Sequence, residues 1–433
     1  MIGKYRVKGR LGEGATSEVF LAHDPFRGQD VAIKRVRRSL LDDERESHFQ
    51  QRFFEAEAAL VGRLQHPNVV QIFDAVNDPA APYLVMEYVK GVTLRRYCRA
   101  DALLPLATIV EVGFKCAMAL GYVYKQGLIH RDVKPANLLV TLDGEQIDQV
   151  KITDFGSVFN QDAEQTQVFR VGSLAYMSPE QLDGSTLDCR ADIYSLSAVL
   201  YHLVAGRPPF DAQQQMAIMN QIYNALPPPL GSLREGLSAQ LQALIERGLA
   251  KNREDRPASW DEFSQALSAL ASSQQMQRGS LQEVLDSERF TLLRQLEFFT
   301  GFGDVALWEV VRRAVWQRHG FGAALFRKGD EGNAFHIVTQ GQVDVYRDGS
   351  KVASLGAGST VGEMAYLAPS PDLRVHAADL LVSQPATTLA FTPDTMQQLS
   401  LATRHLFDEA FIRVLVRRLH AAHEALAHTR RIL

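Results

Sequence analysis

The run His130-Arg131-Asp132-Val133-Lys134-Pro135-Ala136-Asn137, followed downstream by Asp154-Phe155-Gly156, constrains this chain more than any other feature. It places a carboxylate, an ammonium and a carboxamide in one short stretch, with a second carboxylate soon after. Phosphoryl transfer needs that set, because it depends on positioning and charge neutralisation more than on covalent chemistry. In this reading Asp132 accepts the proton of an attacking hydroxyl and Lys134 steadies the γ-phosphate as charge moves. Asn137 and Asp154 are the Mg²⁺ ligands, since that ion prefers carboxylate and amide oxygens beside phosphate and water. Both strings occurring by chance in this order is negligible.

The N-terminal stretch fits the same chemistry. Leu11-Gly12-Glu13-Gly14-Ala15-Thr16-Ser17-Glu18-Val19 lies between strand-like runs, and Val31-Ala32-Ile33-Lys34 ends the next one. A G-x-G alone is weak evidence, because turns use glycine constantly. Between two strands its amides cover phosphates while Lys34 reaches the α and β phosphates as a point charge. A lysine under a β-hairpin needs a counter-charge. Glu57 on the following helical stretch is the candidate, whereas Glu55 faces elsewhere on that helix. Taken by itself, Glu57 reads as a solvated helix-face glutamate.

A chain of 433 residues suits two or three domains. Its 46 basic and 50 acidic residues leave a net charge of −4, so no nucleic-acid or anionic-membrane partner is advertised. Cys98, Cys116 and Cys189 are far apart, which argues for a reducing compartment and against disulfide or zinc frameworks. The N-terminus lacks the apolar core of a signal peptide. No stretch approaches the ~20 apolar residues of a spanning helix, the best run being Ile193 to Val204, so a cytoplasmic protein without membrane contact is expected.

Residues 5–36 read as strands, 42–64 as a helix with Phe53, Ala56, Leu60 and Leu64 on one face, and VVQIFDAV and PYLVMEYV as strands. From 103 to about 270 the pattern is mostly helical, and 271–282 has linker composition. Helical segments around 284–300 and 305–317 precede short β runs separated by glycines: AALFRKGD, AFHIVTQG, QVDVYRDG, KVASLGAG and TTLAF. They suggest a small β barrel or roll. A last helix carries an apolar stripe of Phe407, Phe411, Leu415, Leu419, Ala422 and Leu426.

On these motifs residues 5 to about 270 resemble the bacterial, eukaryotic-like serine/threonine protein kinases. The resemblance implies a multidomain α+β chain: a bilobal kinase fold over 1–270 (lobes 1–88 and 89–270), a linker at 271–283 and a second domain over 284–433. It implies ATP and Mg²⁺ as cofactors and proteins as substrates. Leu11, Gly12, Gly14, Val19, Ala32, Lys34 and Leu139 would bind the nucleotide, with Met86 as gatekeeper and Glu87 and Val89 as hinge. Glu180 of Ser178-Pro179-Glu180 would pair with Arg256, and Asp192 would anchor the catalytic loop. Lys134 and Ser173 match the serine/threonine branch. Ser17 and Ser197 depart from the family by replacing glycines. Thr166 is the best activation-loop acceptor, to be paired with Arg131, or is a polar loop residue; Ser157 and Ser173 are weaker acceptors.

The run from Phe326 to Ala365, with Gly362-Glu363-Met364-Ala365 at its end, resembles the cyclic-nucleotide-binding domain over about 285–425. In that family a helix N-terminus holds the cyclic phosphate, the glutamate takes the ribose hydroxyl and an arginine clamps the phosphate. Here Arg374 stands eleven residues after Glu363, and an alternative alignment puts His376 at the arginine position. The domain therefore either binds a cyclic nucleotide as a small-molecule effector or keeps only the fold. Arg413, Arg417, Arg418, Arg430 and Arg431 read as the solvated face of the last helix, whose stripe is either a homodimer seam or packs on the barrel. No nucleic-acid contact is expected, because a DNA-reading helix-turn-helix would need about sixty further residues.

Overall fold

A computed structural model describes residues 1–14, 17–37, 51, 54–77, 82–143, 146–155, 159–160, 174–278 and 286–432. The chain divides into two units, Met1–Gln282 and Glu283–Leu433. The first opens with an antiparallel sheet ordered β1-β2-β3-β5-β4, built from β1 Arg6–Glu13, β2 Ser17–Asp24, β3 Gln29–Val36, β4 Ile72–Val76 and β5 Tyr83–Glu87. Side chains alternate along a strand, so Ala22, Val31 and Ile33 bury one face against Tyr5, Tyr83 and Val85. The register pairs Val19 with Lys34 and Ala32 with Met86, which puts these four on the opposite face.

Of the helix read over 42–64, residues 54–58 are helical and bury Phe54 and Glu57, while Leu60 and Leu64 are buried just beyond. Phe53 lies outside the described residues.

After the short β6 Val92–Thr93, the second half of this unit is organised by the helix Leu106–Lys125, fourteen of whose twenty residues are buried. It corrects the expectation that no stretch approaches a membrane-spanning helix: its mean hydropathy of 1.5 and its length pass that test, while 72% of the window is buried inside the fold. Its burial has a local cause. A Cβ at Gly113 would come within 3.0 Å of Leu200, and one at Gly121 within 3.0 Å of Trp260, so neighbouring helices approach closely.

The mostly helical reading of 103–270 also needs amending. Short runs between residues 128 and 160 form β7 Leu128–Ile129, β8 Leu138–Asp143, β9 Gln146–Ile152 and β10 Phe159–Asn160. β6, β8 and β9 make one small sheet, and β7 pairs with β10. The helices Pro179–Leu182, Cys189–Ala205, Gln215–Asn224, Ala239–Gly248 and Trp260–Arg278 complete the unit. The last of these includes residues 271–278, read above as linker. Ser197, one of the two departures from the family pattern, is fully buried and donates to the Ile193 carbonyl at 2.8 Å. Gly248 makes room for it, since a Cβ there would lie 1.9 Å from the Ser197 hydroxyl.

The second unit is a β roll flanked by helices. The helices Asp286–Gln295 and Asp304–Arg313 lead into β11 Val315–His319, so the expected helical segment at 305–317 ends early in a strand. There follow β12 Ala324–Phe326, β13 Phe335–Arg347, β14 Ser350–Leu355, β15 Thr360–Val361 and β16 Asp379–Phe391, in the sheet order β11-β16-β13-β14 with β12 on β16 and β15 on β13. Two of the expected runs fuse into β13 across Gly341, whose φ of +81° and closeness to the Pro385 carbonyl bar a side chain there.

The helix Leu401–Ile432 closes the chain. Phe407 and Phe411 pack with Phe298, Phe335 and, for Phe407, Phe391, so the start of the stripe covers the roll. Further along, Ile412, Val416 and Leu419 are exposed. Three of the arginines read as a solvated face also have partners, Arg417 and Arg418 while still exposed. Arg413 donates to the Thr300 carbonyl at 2.8 Å, Arg417 pairs with Glu297, and Arg418 pairs with Glu363.

Candidate active site

Strand pairing presents Lys34 from the inner face of the first sheet, and three carboxylate oxygens surround it. Its ammonium lies 2.8 Å from both oxygens of Glu57 and 2.5 Å from Asp154 Oδ1. Burial alone would lower the pKa of Lys34; Asp154 and Glu57 override it and hold the ammonium above the usual lysine range. Burial would likewise raise Asp154, but the Lys34 charge and hydrogen bond win and hold its pKa below the usual carboxylate range. Asp154 is thus ionised at neutral pH. Glu57 is buried, whereas Glu55 is exposed and accepts from Gln51.

The second cluster sits on the loop after β7. Lys134 Nζ lies 2.9 and 2.6 Å from the two oxygens of Asp132, and Asn137 Nδ2 donates to Asp132 Oδ2 and to its carbonyl, each at 2.9 Å. With its nitrogen so engaged, Asn137 turns its carboxamide oxygen away from Asp132. That oxygen and the Asp154 carboxylate are hard donors of the kind Mg²⁺ takes, so the residues fit that ion.

Backbone strain marks both clusters. Arg131 and Asp154 adopt φ of +65° and +69°, which a non-glycine residue takes at a cost of order 1–3 kcal/mol. The loop is held against this strain from below. Buried Asp192 accepts from the His130 and Arg131 amides at 2.7 and 2.8 Å. Burial pushes its carboxyl pKa up, opposed by His130 and those amide bonds. Phe155 packs against the His130 ring, centroids 4.9 Å apart. Glu180 and the buried Arg256 form a two-pronged pair at 2.6 and 3.0 Å.

The remaining positions named from sequence are distributed around these clusters. Gly12 lies in β1 opposite Val19, Leu11 is exposed beside it, and the Gly14 amide donates to the Ser17 carbonyl at 2.8 Å. Ala32 and Met86 are buried, and Leu139 is partly buried in β8. At the hinge, the Glu87 amide donates to Gln71 and the Val89 carbonyl accepts from Gly91. Thr166, Ser157 and Ser173 lie outside the described residues.

Two partners escaped the sequence reading. Lys151 pairs with the Glu87 carboxylate at 2.7 Å, bracing the hinge from β9. Gln181 donates to the Arg131 carbonyl at 2.8 Å. A lysine in a strand and a glutamine in a four-residue helix carry no signal without the fold.

In the second unit the turn at Gly362 is built differently. Gly362 has φ +81°, and a Cβ on it would meet the Ala334 carbonyl at 2.9 Å and the Phe326 ring at 3.0 Å. Phe326 in turn stacks on His376, centroids 4.0 Å apart. Glu363 is 2% exposed and paired with Arg418, whose other nitrogen donates to the Thr360 carbonyl at 2.8 Å. Met364 is exposed and Ala365 buried against Gly332. Arg374 is not gathered with them. Its side chain is exposed and donates to the Ala368 carbonyl at 3.3 Å, so the cation at Glu363 comes from the last helix rather than from the loop.

Comparison with known proteins agrees with this division. The protein kinase domain model matches residues 5–271, and the cyclic nucleotide-binding domain model matches 319–402. The serine/threonine-protein kinase PknB of Mycobacterium leprae is 36% identical over 261 residues, covering 58% of this chain and 40% of its own. A probable serine/threonine-protein kinase of Clostridium acetobutylicum is 34% identical over 291 residues, covering 66% of this chain and 42% of its own. The chain thus spans about two-fifths of the length of these curated relatives.

Proposed function

The chain belongs to the protein kinase family, and from that premise we propose that it transfers the γ-phosphate of ATP to serine or threonine hydroxyls of proteins. The observation that carries this reading is the pair of clusters, Lys34–Glu57–Asp154 and Asp132–Lys134–Asn137. Glu57 fixes Lys34 where it meets phosphate oxygens. Asp132, oriented by Asn137, accepts the hydroxyl proton, and Lys134 beside it carries charge toward the transferring group. Asn137 and Asp154 would hold Mg²⁺, which when bound neutralises phosphate charge. Leu11, Gly12, Gly14, Val19, Ala32, Met86, Glu87, Val89 and Leu139 would enclose the nucleotide, and Thr166 would be the activating phosphosite paired with Arg131. Residues 1–270 carry the catalysis. Three buried, unbridged cysteines suit a cytoplasmic setting.

The test is transfer of labelled phosphate from ATP to a generic protein acceptor. Asp132→Asn should abolish it in folded protein. Near-normal turnover in Asp132→Asn would remove Asp132 as the base, and no transfer by the wild type would leave a non-catalytic sensor or scaffold.

We further propose that residues 284–433 regulate the kinase through packing or self-association, and that cyclic nucleotides bind them weakly or not at all. The support is that Arg418 already takes the Glu363 carboxylate and Phe326 lies against Gly362. The exposed stripe of Ile412, Val416 and Leu419 supports a homodimer. Titration calorimetry with cyclic AMP and cyclic GMP tests the first point; submicromolar binding lost in Glu363→Ala would overturn it. Deleting 283–433 should change kinase activity.

A further inference from the structure

Asp132 follows a residue whose backbone is held on both sides, at its amide and at its carbonyl, and the two clamps come from different parts of the fold. The Arg131 amide is bound by Asp192 at 2.8 Å. The Arg131 carbonyl, in the peptide that runs into Asp132, accepts from the Gln181 carboxamide at 2.8 Å. Between these clamps Arg131 sits at φ +65°, a conformation that needs outside support in a non-glycine residue. Gln181 is 2% exposed and its other end is also engaged: the Ser178 amide and hydroxyl donate to Gln181 Oε1 at 3.1 and 3.2 Å. The carboxamide orientation follows from that network, since only its nitrogen donates to a carbonyl.

The helix carrying Gln181, Pro179–Leu182, does not move freely. The preceding residue, Glu180, is fixed by fully buried Arg256. Glu180 and Gln181 thus reach in two directions, one to the base of the unit and one to the catalytic loop. We infer that Gln181 is a positioning residue for Asp132, coupling the segment 174–182 to the catalytic loop through the Arg131 carbonyl. It touches neither nucleotide nor acceptor and works by fixing the peptide plane that sets the Asp132 carboxylate. The inference rests on the kinase reading.

Gln181→Glu isolates the bond. A glutamate still accepts from Ser178, but once ionised it cannot donate to the Arg131 carbonyl. Burial raises a carboxyl pKa, so acidification restores a donating O–H. In the full chain, kcat of Gln181→Glu at about pH 8.5 should fall about tenfold with the KM for ATP unchanged, as expected for a misplaced base. The ratio of variant to wild-type kcat should recover toward one as pH falls to about 6. Gln181→Met, isosteric and unable to hydrogen-bond, should show the same kcat loss without the recovery, and it decides the matter if the glutamate does not fold. A wild-type kcat in folded Gln181→Met, or a loss in Gln181→Glu that ignores pH, would overturn the inference. Asp132→Asn run in parallel separates the premises. If it is inactive while Gln181→Met is normal, only the positioning role fails; if it is active, Asp132 is not the base and the proposed reading of the site fails with it.

Discussion

Asp154 and Glu363 each stand at a left-handed turn, and each meets a cation from far along the chain. Lys34 comes from 120 positions before Asp154, and Arg418 from 55 after Glu363. Their surroundings differ. Asp154 takes the left-handed conformation itself, at φ +69°, and keeps 41% of its side chain exposed. At the other turn a glycine bears the conformation, and Glu363 is 2% exposed. Strain kept beside an accessible carboxylate is what a working site retains. A relaxed turn around a buried carboxylate met by its cation is what a structural joint looks like. The two units share an arrangement of left-handed turn, carboxylate and cation and differ in which residue bears the turn and in how far the carboxylate is exposed.

The largest effects should come from breaking the first arrangement. Asp132→Asn and Asp154→Gly should each lower phosphoryl transfer by about a thousandfold or more. Their thermal midpoints should stay within about 3 °C of wild type, because neither supports the core and glycine relieves the φ at 154. A midpoint that falls with activity would mean that the first cluster is as structural as the second. Lys34→Ala should cost kcat about a hundredfold and leave the KM for ATP within a few fold, its charge acting on phosphate alignment. Steady-state kinetics with an unchanged kcat would remove Lys34 from the site.

How far these sites were legible follows from the same contrast. Lys34, Asp132, Asn137 and Asp154 announce themselves because the proposed phosphoryl transfer calls for those residue types, and they fall in short runs. Glu57 was separable from Glu55 by helix phase alone. Arg418 was not readable. Its helix has an apolar stripe with arginines between, a pattern that fits a solvated face as well as a docked one, and only the fold brings it to Glu363. The length of β16 was missed for a related reason: Ser383, Gln384 and Pro385 interrupt its apolar alternation, and the sheet pairs it regardless. The helix Leu106–Lys125 was underrated because a Glu and two Lys lie in it. Buried Glu111 and Lys115 answer each other at 3.5 Å, so those charges do not prevent burial on all sides.

Acid should separate the two units. His336 in β13 is buried, and burial first, then the neighbouring His319 and His376, hold its pKa at about 4. Thr388 Oγ1 faces the His336 ring at 3.3 Å, and Asp330 bears on His376. An unfolded histidine charges near pH 6.5, so between there and 4 the unfolded state binds the extra proton and folding weakens as pH falls. This group alone should cost the second unit about 2 kcal/mol by about pH 5, with no further loss below 4. The first unit's Asp154, held by Lys34 below the usual carboxylate range, gives up its contribution only as pH falls below about 4. Protection factors of β13 amides in the full chain, taken relative to the intrinsic exchange rate at each pH, should therefore fall on acidification before those of β3, and His336→Gln should reduce the difference. An equal fall in both strands would show that the histidine cluster does not set the order.

The smallest effect tests the joint itself. Glu363 is buried, while the Arg418 side chain is 43% exposed, so solvent already screens one partner and the pair is worth less than a fully buried one. Removing the arginine nonetheless leaves a buried carboxylate without its cation and frees the Thr360 carbonyl as well. Arg418→Ala should cost the second unit about 1–2 kcal/mol, read from denaturant unfolding of the full chain with a second-unit probe such as Trp316. Glu363→Gln alone should cost less, because a neutral amide needs no counter-charge. Added to Arg418→Ala, it should cancel part of the loss, giving a coupling energy of opposite sign to the single effects. Two strictly additive losses would mean that Arg418 stabilises the helix through Thr360 alone and that Glu363 is not part of the joint. The carboxylate would then be left to an outside ligand, and the two turns would be alike after all.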